Sequence, residues 1–166
     1  MNIYKVKIEK AIEQCDIHAS VLNSAIDELN SSVDIMNVSD IALIDTWQVL
    51  RSLDQIAYRF QRLQDEMGRV LLPSIPYALH ENISDDATFV EKLNWLEKNN
   101  YLSAAADWIK LRQFRNSLAH EYPGEPQLKL RLLKKLLVHC AEMVAIYTKV
   151  KDKYFVSIEL VDSTEA

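Results

Sequence analysis

Glycine and proline are scarce in this 166-residue chain, which holds two of the first and four of the second. Folds rich in strands need many tight turns, and turns draw on Gly, Asn and Pro for their backbone angles. The shortage argues against a strand-and-turn architecture and for long helices joined by few loops. Gly68 and Gly124 are solitary, so neither a Walker-type phosphate loop nor a dinucleotide-binding fingerprint can be built. Cysteine is as rare as glycine. Cys15 and Cys140 lie far apart, each inside an apolar helical pattern, and read as small buried hydrophobes rather than as a disulfide framework. No segment approaches the ~20 apolar residues that cross a bilayer, and Met1 to Lys10 alternates charge with apolar side chains, unlike a secretory leader. A cytoplasmic protein with no membrane contact is expected. His-x3-His, Cys-x2-Cys and a clustered carboxylate triad are all missing, so no metal site and no cofactor are expected.

Hydrophobic residues make up 49% of the chain and charged residues 26%, a balance that supports one ordinary globular core. The formal net charge of −5 excludes nucleic-acid binding through bulk attraction. Any contact with RNA must come from a local basic site.

Helical periodicity dominates. Ile8, Ile12, Cys15, Ala19, Leu22, Ile26 and Leu29 recur in steps of four and three, predicting a first helix from about Tyr4 to Leu29. Ser39 is a suitable N-cap for a second, from Asp40 to Leu72, whose stripe is Val49, Leu53, Ile56, Phe60, Leu63, Met67 and Val70. Pro73 and Pro76 are expected to stop it, with a loop over 74–86. A short helix follows, carrying Phe89, Leu93 and Leu96, with Ser84 or Asp85 near its start and Asn99-Asn100 at its end. Ser103 is placed to cap the next, which runs to about Glu121 before Pro123, Gly124 and Pro126 break it. The last carries Leu130, Leu133, Leu137, Cys140, Val144 and Tyr147. The expected fold is all-α, an up-and-down antiparallel bundle of four to five helices over residues 1–154. In the tail, 155–166, Val156, Ile158 and Leu160 alternate with polar residues, which fits either a short strand against a partner or a loose end.

One residue breaks the pattern. Ala104, Trp108, Leu111 and Leu118 form a stripe, and Arg115 falls on it between the last two. Either this guanidinium snorkels or pairs with Asp54, Asp65 or Glu66, or it lines a cleft and awaits an anion. Asn116 and His120, four residues apart, stack about 40° apart around the helix axis, with Arg115 about 140° from His120. His120 lies in the last turn before the Pro123 break, where the helix dipole stabilises an imidazolium and brings titration near neutrality. Such a histidine can give and take protons. His18, His80 and His139 lack that setting and read as structural or solvated. Basic residues near the motif are Lys110, Arg112, Lys129, Arg131, Lys134 and Lys135, of which Lys110 and Arg112 are candidate RNA-binding residues, and a solvated helix face is the other reading of the same charges.

The string Leu111-Arg112-Gln113-Phe114-Arg115-Asn116-Ser117-Leu118-Ala119-His120-Glu121-Tyr122-Pro123 resembles the signature of HEPN proteins, an Arg followed by a polar residue and, a few positions on, a His. The narrower Arg-x4-His-x-Tyr form is similar to the HepT toxins of toxin–antitoxin pairs. The resemblance implies a helical bundle that forms a homodimer, bringing two motifs into one cleft. It further implies a metal-independent endoribonuclease with Arg115, Asn116 and His120 as catalytic residues. A minimal nucleotidyltransferase antitoxin would be its partner, silencing it by adding AMP to Tyr122. Some relatives of that family resemble non-catalytic, substrate-binding partners of nucleotidyltransferases, which is the alternative for this chain.

Overall fold

The computed structural model describes residues 2–39, 47–118 and 126–165, and among them every regular element is helical. The helices are α1 (Ile3–Ser32), α2 (Trp47–Glu66), α3 (Leu72–Ala78), α4 (Phe89–Lys98), α5 (Ala105–Leu118) and α6 (Pro126–Glu165). A π-helical turn, Met67–Leu71, joins α2 to α3 without a break. The all-α bundle expected from the periodicity is the fold observed. No helix among the described residues is long and apolar enough to cross a membrane.

The apolar stripes meet in one core. Ile8, Cys15 and Leu22 of α1, Ile56, Phe60 and Leu63 of α2, Trp108 of α5, and Cys140 and Met143 of α6 are all fully buried. Burying a side chain of this size stabilises the fold by about 1.5–3 kcal/mol over leaving it in water. Burial also pushes both cysteine thiols well above their ordinary pKa, so they pack as inert hydrophobes.

Four expectations differ from the observed fold. Pro73 and Pro76 do not end the second helix, because the π-turn precedes them. The Leu72 N–H reaches back five residues to the Met67 carbonyl, which widens the ladder just where Pro73 brings no donor. Pro76 forfeits a bond inside α3, and burial of Leu72, Ile75, Pro76 and Ala78, with α3 packed on α1, offsets the loss. The chain turns only after Ala78, where His80 takes a φ of 56° and the Glu81 N–H bonds to the Pro76 carbonyl at 3.0 Å. The cap expected from Ser39 concerns 40–46, which lie outside the described residues.

The caps of α4 and α5 also differ from those expected. Thr88, not Ser84 or Asp85, caps α4: its hydroxyl accepts from the Glu91 N–H at 3.3 Å and its own N–H donates to Glu91 Oε2 at 2.6 Å. Ser103 does not cap α5. The Glu97 carboxylate, reaching from α4, accepts from the Ala105 N–H at 2.7 Å, and the Ser103 hydroxyl accepts from Lys149 instead. A charged acceptor at a helix N-terminus also meets the positive end of its dipole.

The tail is neither strand nor loose end. α6 passes through Phe155 without interruption to Glu165. Tyr101 donates to Ser157 Oγ at 2.7 Å, and Lys5 of α1 pairs with Asp162, so contacts on both sides hold this extension. Its alternating pattern is read by a helix as Tyr154 in and Val156 and Leu160 out.

Candidate functional site

Gln64, Asp65, Gly68 and Arg69 are spaced so that 64 stacks on 68 and 65 on 69, giving one face across the end of α2 and the π-turn. Trp108, Arg112, Arg115 and Asn116 make the matching face of α5. The two faces line a cleft of about 290 Å³, with Phe89 of α4 completing it. Three guanidinium groups meet one carboxylate there, in a chain that is acidic as a whole.

Arg115 is half-buried in this cleft. Its Nη2 donates to Asp65 Oδ2 at 2.9 Å and its Nη1 to Asn116 Oδ1 at 3.2 Å, while Nε is buried without a hydrogen-bond partner. Of the three carboxylates named from the sequence as possible partners, Asp65 is the one in place. The stripe on α5 is shifted from the expected one: Ala105, Trp108, Leu111 and Phe114 are the buried positions. Arg115 therefore stands at the edge of the apolar face, which is what lets its side chain keep some exposure, 30%. Asn116 is exposed and fixes one side of the guanidinium.

Arg112 lines the same cleft, its guanidinium 5.6 Å from the Phe89 ring centre. Arg69 is exposed on the opposite wall, and neither it nor Arg112 has an ion-pair partner among the described residues. The floor is Gly68 against Trp108. A Cβ on Gly68 would stand 3.1 Å from Trp108 Cζ2 and 3.5 Å from Gln64 Nε2, so the missing side chain is what lets the indole come so close. Trp108 Nε1 is buried with no hydrogen-bond partner.

Lys110 is not brought to this site. Two residues from Arg112 along a helix, it faces the other way and lines a separate depression with Asp107, Leu111, Glu142, Ala145 and Ile146. His120 and Tyr122 lie outside the described residues, directly after the Leu118 end of α5.

The other three histidines do not line the cleft. His18 is buried, with Nδ1 3.0 Å from Arg59 Nη1. Burial, with Arg59 and Arg62 close by, lowers its pKa and keeps the ring a neutral acceptor. His139 lies against the Phe114 ring, its Nδ1 2.7 Å from Glu142 Oε2. His80 sits in the turn after α3. Among the described residues, no group of three or more His, Cys, Asp or Glu is arranged to hold a metal ion.

Arg69, Gln64, Gly68 and Phe89 line the cleft and were not expected at a site from the sequence. The signal was the paired i, i+4 spacing of 64/68 and 65/69, which has meaning only once that face is known to oppose α5. No family model matches the chain, and neither a curated protein nor a solved structure does.

Proposed function

We propose that the chain is a metal-independent endoribonuclease of the HEPN type, with Arg115, Asn116 and His120 as its catalytic residues. The observation that carries this reading is the gathering of Arg112, Arg115 and Asn116 on one cleft wall of α5, with His120 four residues after Asn116 in the sequence. A fixed guanidinium fork favours an anion whose charge grows during reaction, and proton transfer by a histidine typically adds 10²–10⁴-fold.

In this mechanism the ribose 2′-oxygen attacks the adjacent phosphorus while His120 takes the hydroxyl proton. The O2′–P bond forms, the P–O5′ bond breaks, and the departing 5′-oxygen receives a proton from the second His120 of a homodimer. A 2′,3′-cyclic phosphate and a 5′-hydroxyl result. Arg115 neutralises charge on the non-bridging oxygens, and Asn116 holds Arg115. Tyr122, two residues beyond His120, is the residue a partner nucleotidyltransferase would modify with AMP. The added bulk and negative charge would oppose RNA where its phosphate must bind.

The Arg115–Asp65 pair favours a second reading, because it already supplies the guanidinium with a carboxylate. On that reading the chain is a non-catalytic, substrate-binding partner of a nucleotidyltransferase. Cleavage of end-labelled single-stranded RNA in EDTA separates the two. The ribonuclease is expected to cut and leave cyclic-phosphate ends, and His120→Ala and Arg115→Ala are expected to lose at least 100-fold in rate, the low end of the histidine contribution. No cutting by unmodified wild-type dimer over several RNAs would select the binding subunit.

A further inference from the structure

On the walls of the cleft donors outnumber acceptors. Arg69, Arg112, Arg115, the Trp108 indole and the Gln64 amide bring N–H groups, and Asp65 is the one anionic acceptor. Two donors, Arg115 Nε and Trp108 Nε1, are buried without a partner, a state that costs folding free energy, and the exposed Arg69 and Arg112 bring the donors that a ligand can reach. All three cations are arginines, although lysine is the commoner cation in the chain. The planar fork of arginine fits the oxygens of a phosphate, where lysine offers only a point charge.

The π-turn adds an independent observation. Such insertions are rare and occur often at functional positions. This one carries Gly68 and Arg69, the floor and the far wall of the cleft. A carboxylate offers two oxygens in one plane, whereas a tetrahedral phosphate spreads its oxygens in three dimensions and suits guanidinium groups that come from two walls. Three guanidinium groups against the one Asp65 carboxylate leave the cleft net positive, as an anion requires.

We propose that this cleft is a phosphodiester-binding subsite, and that Arg69 grips the phosphate from the wall opposite Arg115. The inference rests on the ribonuclease reading for the source of the phosphodiester, an RNA strand held beside the bond to be cut. Phosphate binding itself is open to test without cleavage.

The probe is a fluorescein-labelled octamer of fully 2′-O-methylated RNA, which lacks the attacking hydroxyl and cannot be cut. Anisotropy titrations over a series of salt concentrations give both affinity and its salt slope. Arg69→Gln is expected to weaken binding about tenfold and to lower the slope by about 0.7, the loss of one phosphate contact on a single strand. A merely structural arginine would not move that slope. Lys10→Gln, on α1 and away from the cleft, is expected to change neither quantity. Asp65→Asn is expected to tighten binding several-fold by removing the competing carboxylate. Binding of Arg69→Gln within twofold of wild type, with an unchanged slope, would overturn the proposal. Displacement of the probe by adenosine 5′-monophosphate at lower concentration than by unlabelled octamer would overturn the phosphodiester assignment in favour of a mononucleotide. The two readings fail separately. Arg69-dependent binding without cleavage of ordinary RNA removes the ribonuclease and keeps the subsite. Cleavage that is indifferent to Arg69→Gln does the reverse.

Discussion

Gly68→Ala sets two effects of opposite sign against each other, and the geometry decides between them. Alanine in place of glycine within a helical segment stabilises by roughly 0.5–1 kcal/mol, because the unfolded chain loses freedom. The new Cβ would stand 3.1 Å from Trp108 Cζ2, inside the 3.5–4.0 Å at which carbon atoms attract. Trp108 is fully buried, and an indole held in place by the core brings an overpacking cost of about 1–3 kcal/mol. The net expectation is a loss of about 1 kcal/mol, seen as a fall in melting temperature of about 2–4 °C for a chain of this size. Thermal unfolding followed by circular dichroism measures it. The diagnostic arm is a double-mutant cycle with Trp108→Phe, which removes the benzo ring that carries Cζ2. In that background Gly68→Ala should be neutral or stabilising. An equal penalty in both backgrounds would refute the contact as its cause, and a gain in the wild-type background would refute the claim that the indole cannot move.

Tyr147 has its hydroxyl 2.7 Å from Asp16 Oδ1 and 3.1 Å from the Ile12 carbonyl, tying α6 to α1. Tyr147→Phe should cost about 1–2 kcal/mol in urea unfolding, as befits a bond to a charged acceptor, and an unchanged midpoint would count against the link. Although burial works the other way, the bonds from Lys151 and Tyr147 hold Asp16 below its usual pKa, so its contribution is present at neutral pH and is lost as pH falls through that lowered value. His18 gives a pH dependence in a different window. Its folded pKa lies below the ordinary 6.5, so below pH 6.5 the unfolded chain binds the proton first and stability falls until the folded value is passed. His18→Gln, which keeps an acceptor for Arg59, should flatten the melting temperature between pH 6.5 and 5 relative to wild type, and parallel curves would exclude His18 as the source.

The helical class of this protein, most of its core and its anomalous arginine were legible in the amino-acid order. A step of three and four along α1, α2 and α6 repeats the geometry of a helix, and the stripe it marks must be buried wherever the helix packs. Ile8, Phe60 and Cys140 could therefore be placed in the core from spacing alone. Arg115 stood out for the same reason, as a charge on an apolar stripe. Its partner did not, since three carboxylates were open to it and only the packing of α2 on α5 chose Asp65. Tertiary structure likewise decided the elements where local preference and context compete. Pro73 and Pro76 signal a stop on their own, but a π-turn before them and a buried face beyond them carry the helix on. Ser103 has the right chemistry to cap α5, and Glu97 does so because α4 brings a full negative charge to the same N–H. The alternating tail looks extended in isolation, and contacts with Tyr101 and Lys5 hold it as helix. The cleft belongs to the same group. Gly68 and Arg69 are unremarkable on their own helix, and become floor and wall only because α5 lies opposite, a relation between distant segments that no local spacing encodes.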